Sequence, residues 1–208
     1  FDLTITVCIG IAEYPEAAEG VLELVNCAEI VMFRCKSVGK NMVKHFDIPI
    51  LNDFIQNARL DTRLKEAVLA ENHFTLQYQP QFYTGNKKLR GVEALIRWKD
   101  ADNHMISPGV FIPIAEKAGL VDKIDLMVFR KAAFFLADMI KKAGKDLDIT
   151  ICINVSVRHL MKNNFIEEIK KVLHESGVSA NHFEMEITES IMIDSYEKAR
   201  IYINQIKE

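Results

Sequence analysis

The sequence is short of several features, and each shortage excludes something. No apolar run reaches the ~18 residues that a membrane span requires; the nearest candidate, Ile124 to Ile140, is broken by Arg130, Lys131 and Asp138. The amino terminus, Phe1-Asp2-Leu3-Thr4, has no basic segment of the kind that opens a signal peptide. It has no initiating methionine and reads as mid-strand, so the chain is expected to begin inside a longer protein. An excess of one charge is also missing: 26 basic side chains face 29 acidic ones, a net charge of −3. That balance excludes a duplex-coating role. Cys8, Cys27, Cys35 and Cys152 form no C-x-x-C pair; with apolar neighbours, they read as buried free thiols in a reducing compartment. Gly39-Lys40-Asn41 lacks the upstream glycine of a phosphate-binding loop. The six histidines, His45, His73, His104, His159, His174 and His182, show no H-E-x-x-H or paired spacing and read as ordinary surface or loop residues.

What remains is a globular composition, 49% hydrophobic and 26% charged, which excludes a disordered or collagen-like chain. A chain of 208 residues allows one large domain or one and a half ordinary ones. Leu3 to Gly10 alternates as a strand, and Val21 to Cys35 recurs at helical spacing with Gly39 as its stop signal. Lys44 to Asp53 has no clear period and marks a boundary between two units. Beyond it the pattern predicts a helix at Leu60–Ala70 and strands at Phe74–Gln79 and Leu89–Trp98. Helices at Pro108–Lys117 and Ile124–Ala143, a strand at Ile149–Val155, a helix at Phe165–Ser176, a strand at Phe183–Ile187 and a helix at Ile193–Ile206 follow. Strands and helices alternate from about Leu89 onward, which argues for parallel βα units.

Side chains alternate sides along a strand, so each strand splits into two faces. Four of these strands share one character. Thr75, Gln77 and Gln79 oppose an apolar set on the first, and Glu93, Leu95 and Arg97 do so on the second. Thr150, Cys152 and Asn154 oppose Ile149, Ile151, Ile153 and Val155 on the third, and Glu184, Glu186 and Thr188 oppose Phe183, Met185 and Ile187 on the fourth. A single strand of this kind fits a sheet with one solvated face. Four of them, with helices covering the apolar faces, instead fit a barrel with polar residues inside and ligands at the carboxyl ends of the strands. Gln79, Arg97, Asn154 and Glu186 are expected near those ends, where two carboxylates, an amide oxygen and an arginine suit a divalent cation and a phosphate.

Glu93-Ala94-Leu95, followed by Ile96-Arg97-Trp98, resembles the signature of EAL-domain cyclic di-GMP phosphodiesterases. Tyr78-Gln79-Pro80 before it, and Phe111 to Glu116, Asn154-Val155-Ser156 and Glu186-Ile187-Thr188-Glu189 after it, resemble further blocks of that family in the family's order. Residues 1–46 resemble the closing part of a GGDEF (diguanylate cyclase) domain. Thr6 to Ala12 matches its last strand, and Ala28 to Lys36 with Gly39-Lys40-Asn41 matches its final helix, with Glu29 for the usual Asp and Phe33 for the usual Tyr. That family would set Lys36 and Lys40 against nucleotide phosphates. The resemblance therefore implies an α/β chain: a GGDEF remnant at 1–46, a linker at 47–59, and the first half of a TIM-like (βα)8 EAL barrel at 60–208.

The implied activity is Mg²⁺- or Mn²⁺-dependent opening of cyclic di-GMP to the linear dinucleotide at a two-metal site. Carried over by the resemblance, Glu93, Asn154 and Glu186 would ligate metal. Gln79 and Arg97 would hold the substrate. Glu93 would be catalytic together with Glu189, which would support a loop beside the site without touching metal. Glu116 is expected to be structural. A paired Asp motif, a lysine and a further glutamate are expected beyond Glu208, and residues 60–208 alone are expected to be unstable or inactive. The implied partner is cyclic di-GMP, with no duplex nucleic acid and no membrane contact within these residues. A homodimer is expected for the full-length protein, in the cytoplasm, any membrane tether lying upstream. Two alternatives stay open: a catalytically silent EAL module acting as nucleotide receptor or protein-interaction domain, and a metal phosphohydrolase unrelated to signalling. Asn154-Val155-Ser156 also has the form of a glycosylation sequon, but an apolar strand end without a secretory signal argues against that use.

Overall fold

The computed structural model describes residues 5–39, 41–71, 73–144 and 147–187. The chain divides into two compact units, residues 1–62 and 63–208.

In the first unit, β1 (Cys8–Ile11) and β2 (Met42–His45) pair in parallel, Cys8 opposite Met42 and Ile11 opposite His45. Helix α1 (Val21–Val38) connects them and buries Cys27, Val31 and Cys35. Their four- and eight-residue spacing is one stripe of a helix. Gly10 lets α1 lie close against the strand, since a Cβ there would stand 2.2 Å from the Ala28 carbonyl oxygen. The strand is shorter than the sequence pattern predicts: residues 5–7 lie outside the ladder, and 1–4 lie outside the described residues.

Helix α2 (Ile48–Ala70) occupies the stretch read from sequence as an aperiodic boundary and linker. The Asp47 carboxylate accepts a 2.7 Å hydrogen bond from the Ile50 amide, and Pro49 sits in the first turn, where its missing N–H costs nothing. The helix thus begins about three turns before Leu60.

In the second unit, strands β3 (Phe74–Phe82), β4 (Leu89–Lys99), β6 (Thr150–Val155) and β7 (Phe183–Ile187) lie side by side in that order. The short β5 (Met105–Ile106) pairs antiparallel with the end of β4. The β4–β6 and β6–β7 ladders are parallel, as the βα alternation predicts. The β3–β4 ladder is antiparallel, which the expectation of parallel units does not anticipate. The architecture is α/β with a mixed sheet.

Helices α3 (Pro108–Ala118), α4 (Val121–Ala143), α5 (Val157–Leu160) and α6 (Phe165–Ser176) complete the unit. The apolar strand faces form its core, with Ala94, Trp98, Ile151, Ile153 and Val155 buried. Phe74 stacks on Trp98 at 6.0 Å, and Phe111 of α3 meets Trp98 edge-on at 5.5 Å. Helix α4 packs against β6, β4 and β3 and buries Ile124, Val128, Ala132 and Leu136 among others. Between α3 and α4, Gly119 adopts φ +70°, the left-handed turn that ends the first helix. No helix among the described residues is long and apolar enough to cross a membrane. The helix expected at Ile193–Ile206 lies outside the described residues.

Candidate functional site

Strand register decides which side chains share a face. Thr75 stands opposite Arg97, Gln77 opposite Leu95, Gln79 opposite Glu93 and Gln81 opposite Gly91. Glu93 in turn faces Cys152, Cys152 faces Glu184, and Asn154 faces Glu186. Directly opposed residues in a ladder project to the same side, so the four polar strand faces form one continuous surface.

At the carboxyl ends of the parallel strands, Asn154 Nδ2 donates a 2.8 Å hydrogen bond to Glu93 Oε1. Glu186 stands beside Asn154 on the next strand, so these three oxygen-bearing side chains share one part of the surface. The amide nitrogen faces Glu93, and among the described residues the Asn154 carbonyl oxygen accepts no hydrogen bond. Carboxylates with one neutral amide oxygen are the donor set that hard divalent cations take, and the arrangement fits such an ion.

Arg97 lies further along β4. Its Nε donates to Gln77 Oε1 at 2.8 Å and its Nη1 to the Ile96 carbonyl at 2.9 Å. The expectation that Gln79 lies at a carboxyl end with Arg97 does not hold. β3 runs the other way, which puts Gln79 opposite Glu93 and Thr75 opposite Arg97, and the Arg97 side chain reaches diagonally to Gln77. Sequence reasoning passed over Gln77, although it shares the period-two face with Gln79. Glu189 lies outside the described residues.

A cleft of about 260 Å³ opens beside these groups, lined by Leu95, Arg97, Pro108, Ile112, Asp125 and Asn154 among others. Apolar walls with a few polar groups are the usual make-up of a small-molecule site.

The amino-terminal end of the polar surface is closed by a separate cluster. Gln81 Oε1 accepts from Arg90 Nη1 at 2.9 Å and from the Cys152 thiol at 3.3 Å, and Arg90 pairs with Glu184. Burial, reinforced by the Glu184 charge, pushes the Cys152 thiol up, so it stays protonated. Cys152 therefore sits among polar partners, contrary to the apolar setting read from sequence.

One histidine departs from the expectation of plain surface residues. His159 is 1% exposed. Its Nε2 lies 3.2 Å from Glu168 Oε2 and its Nδ1 3.6 Å from Asp125 Oδ2. His104 belongs to a group with Asp100 and Asp102 whose ligand atoms lie within 4.8 Å of one another. The Asp100 carboxylate there accepts the amides of Asp102 and His104 at 3.0 and 2.8 Å and pairs with Arg63 at 3.2 Å. Those bonds hold a surface turn, and the His104 amide draws the Asp100 carboxyl below the usual range.

Comparison with known proteins agrees with this geometry. The family described as "EAL domain" matches residues 61–208. The signaling protein YkoW of Bacillus subtilis is 30% identical over 99% of the chain. The biofilm architecture maintenance protein MbaA of Vibrio cholerae is 34% identical over 92%, and the cyclic di-GMP phosphodiesterase NbdA of Pseudomonas aeruginosa is 25% identical over 99%. The chain spans about a quarter of the length of these relatives: 25%, 24% and 26%. Among solved structures, the phosphodiesterase PaMucR in complex with c-di-GMP superposes with a TM-score of 0.64 at 27% identity, over 72% of this chain and 59% of that one. The FimX EAL domain of Xanthomonas citri, in complex with c-diGMP, matches with a TM-score of 0.64 at 23% identity, over 75% of this chain and 59% of that one; that likeness bears on the fold alone. With the match covering most of the second unit and the signature residues on one polar sheet surface, the chain belongs to the EAL domain family.

Proposed function

We propose that this chain supplies part of a metal-dependent cyclic di-GMP phosphodiesterase that acts in second-messenger signalling. The observation that carries this reading is the gathering of Glu93, Asn154 and Glu186 on three neighbouring strands, with the 2.8 Å Asn154–Glu93 bond at its centre. These residues would hold Mg²⁺ or Mn²⁺, which when bound supplies charge neutralisation of the phosphodiester and a bound water of lowered pKa. Arg97, fixed through Nε and Nη1, would present the rest of its planar fork to the phosphate. Gln79 would bind the substrate backbone, and Glu189 would support a loop beside the site without touching metal. The names of NbdA and MucR, both cyclic di-GMP phosphodiesterases, support the reading.

The mixed sheet is read as the opening strands of a TIM-like (βα)8 barrel whose polar interior is the surface described above. Residues 1–46 are read as the closing strand and helix of a GGDEF domain. Support comes from the strand–helix–strand order of the first unit and from the match over 99% of the chain to MucR, named a bifunctional diguanylate cyclase/cyclic di-GMP phosphodiesterase. The unpaired cysteines support a reducing, cytoplasmic setting.

The test is Mn²⁺-dependent conversion of cyclic di-GMP to the linear dinucleotide by the full-length protein, with and without Glu93→Ala. Turnover abolished by the substitution upholds the reading; equal turnover overturns it. Tight binding of cyclic di-GMP without turnover would favour the receptor alternative.

A further inference from the structure

We propose that His159 is a positioning residue for the site, acting on Asn154 through Asp125 and Ser156; this rests on the reading of Asn154 as a metal ligand. Ser156 is two residues beyond Asn154, at the point where β6 turns into α5. Both its backbone N–H and its hydroxyl donate to Asp125 Oδ2, at 2.9 and 2.6 Å. Asp125 belongs to α4 and is 8% exposed. His159 Nδ1 lies 3.6 Å from the same oxygen, within ion-pair range but without a hydrogen bond, and Glu168 of α6 contacts its other nitrogen at 3.2 Å. One carboxylate oxygen thus collects two donors from the strand terminus and the imidazole from α5.

The chain of contacts is built as a unit. Ser156 caps α5, its hydroxyl accepting the His159 amide at 3.2 Å. Asn164 Nδ2 braces Glu168 through its second oxygen at 2.8 Å, and Phe165 meets the His159 ring edge-on at 4.8 Å. The charged groups facing the ring are Asp125 from α4 and Glu168 from α6. Burial would by itself lower the histidine's pKa; the two carboxylates outweigh it and hold the pKa above the usual value. Asp125 buried without that charge would pull on Ser156 alone and would bear more of its own desolvation. The imidazole therefore adds a third group to the Asp125 oxygen that holds the strand end. Asp125 and Asn154 also share the wall of the same cleft, so a shift of the strand terminus moves the amide that contacts Glu93. Groups bonded directly to a ligand are worth roughly 10–100-fold in metal affinity; His159 acts two contacts further out, so its effect is expected to be smaller.

The experiment has two readouts on the full-length protein. The first is amide hydrogen exchange at Ser156, which needs no metal. The second is Mn²⁺ affinity by calorimetry. In His159→Gln, Ser156 is expected to lose protection and Mn²⁺ affinity to fall by up to about tenfold, the low end of the range for groups bonded directly to a ligand. Ser156→Ala should do the same, and Ser156→Thr, which keeps the hydroxyl, should restore it. The ratio of wild-type to His159→Gln affinity should shrink as pH rises past the histidine's titration, which loss of packing alone would not produce. Unchanged Ser156 exchange in His159→Gln, or a ratio flat with pH, overturns the proposal. If His159→Gln fails to fold, the Ser156→Ala and Ser156→Thr pair decides it. A wild-type protein that binds no Mn²⁺ overturns the proposed function instead, and the exchange measurement still judges the contact chain.

Discussion

Asn154 and Glu93, on adjacent parallel strands and 61 positions apart in sequence, are joined by a 2.8 Å amide-to-carboxylate hydrogen bond. The amide nitrogen offsets the carboxylate charge when no cation is present. Asn154→Asp is therefore expected to bring two like charges together and cost about 0.2–1 kcal/mol. Excess Mn²⁺ should then raise its stability more than it raises the wild type's, since ligand that binds only the folded state adds about 2.7 kcal/mol at a hundredfold excess over Kd. Thermal unfolding with and without Mn²⁺ measures both effects, and equal metal-induced shifts in the two proteins would refute the role given to Asn154.

Arg97 is held by Gln77 at one nitrogen and by a backbone carbonyl at another. Arg97→Lys keeps the charge but loses the fork, and hydrogen bonds to charged groups are worth about 1.5–3 kcal/mol. A loss of roughly 10–100-fold in affinity for cyclic di-GMP is expected, with a smaller loss in Gln77→Ala. Calorimetric titration of the nucleotide distinguishes the two.

Gly91 of β4 stands opposite Thr150 of β6, and a Cβ there would stand 2.2 Å from the Thr150 carbonyl oxygen. The neighbour is backbone, so no side chain can swing aside. Gly91→Ala should destabilise the second unit by at least about 1–3 kcal/mol, read as a lower urea midpoint.

Phe111 fills the space against Trp98 and Phe74 and is fully buried. Phe111→Ala should cost about 3–5 kcal/mol. A similar urea midpoint in wild type and variant would mean that this aromatic cluster contributes little.

His159 is expected to give the protein a pH response. Its folded-state pKa lies above that of an unfolded chain, about 6.5. The stabilisation is then fully present below pH ~6.5 and is lost as pH rises through the higher folded value. Urea unfolding across the neutral to alkaline range should show this decline in the wild type and its absence in His159→Gln.

The strand faces were legible because period-two alternation is a property of any strand, whatever its neighbours. Strand direction is not carried by that alternation, and the βα alternation that argues for parallel units begins only at about Leu89, after β3. The connection carried it instead: only six residues, Tyr83 to Lys88, join β3 to β4, too few for a parallel crossover. Helix α2 likewise announced itself by Asp47 and Pro49 rather than by periodicity, since its first turns bury nothing among the described residues. His159 could not be read at all. Its partners lie 34 positions before it and 9 after it, and only folding gives that isolated histidine two carboxylates.

The antiparallel hairpin has a practical consequence. Because β3 and β4 run in opposite directions, the tip at residues 83–88 sits at the amino end of β4, while Arg97 sits near the other end. The tip is solvent-exposed throughout, and eight residues of extended strand, roughly 26 Å, separate Leu89 from Arg97. A fluorophore or affinity tag grafted there would ride on the same rigid strand as Glu93 and Arg97 without touching either. It offers a handle for single-molecule or surface-capture work in which the ligand-facing end stays clear.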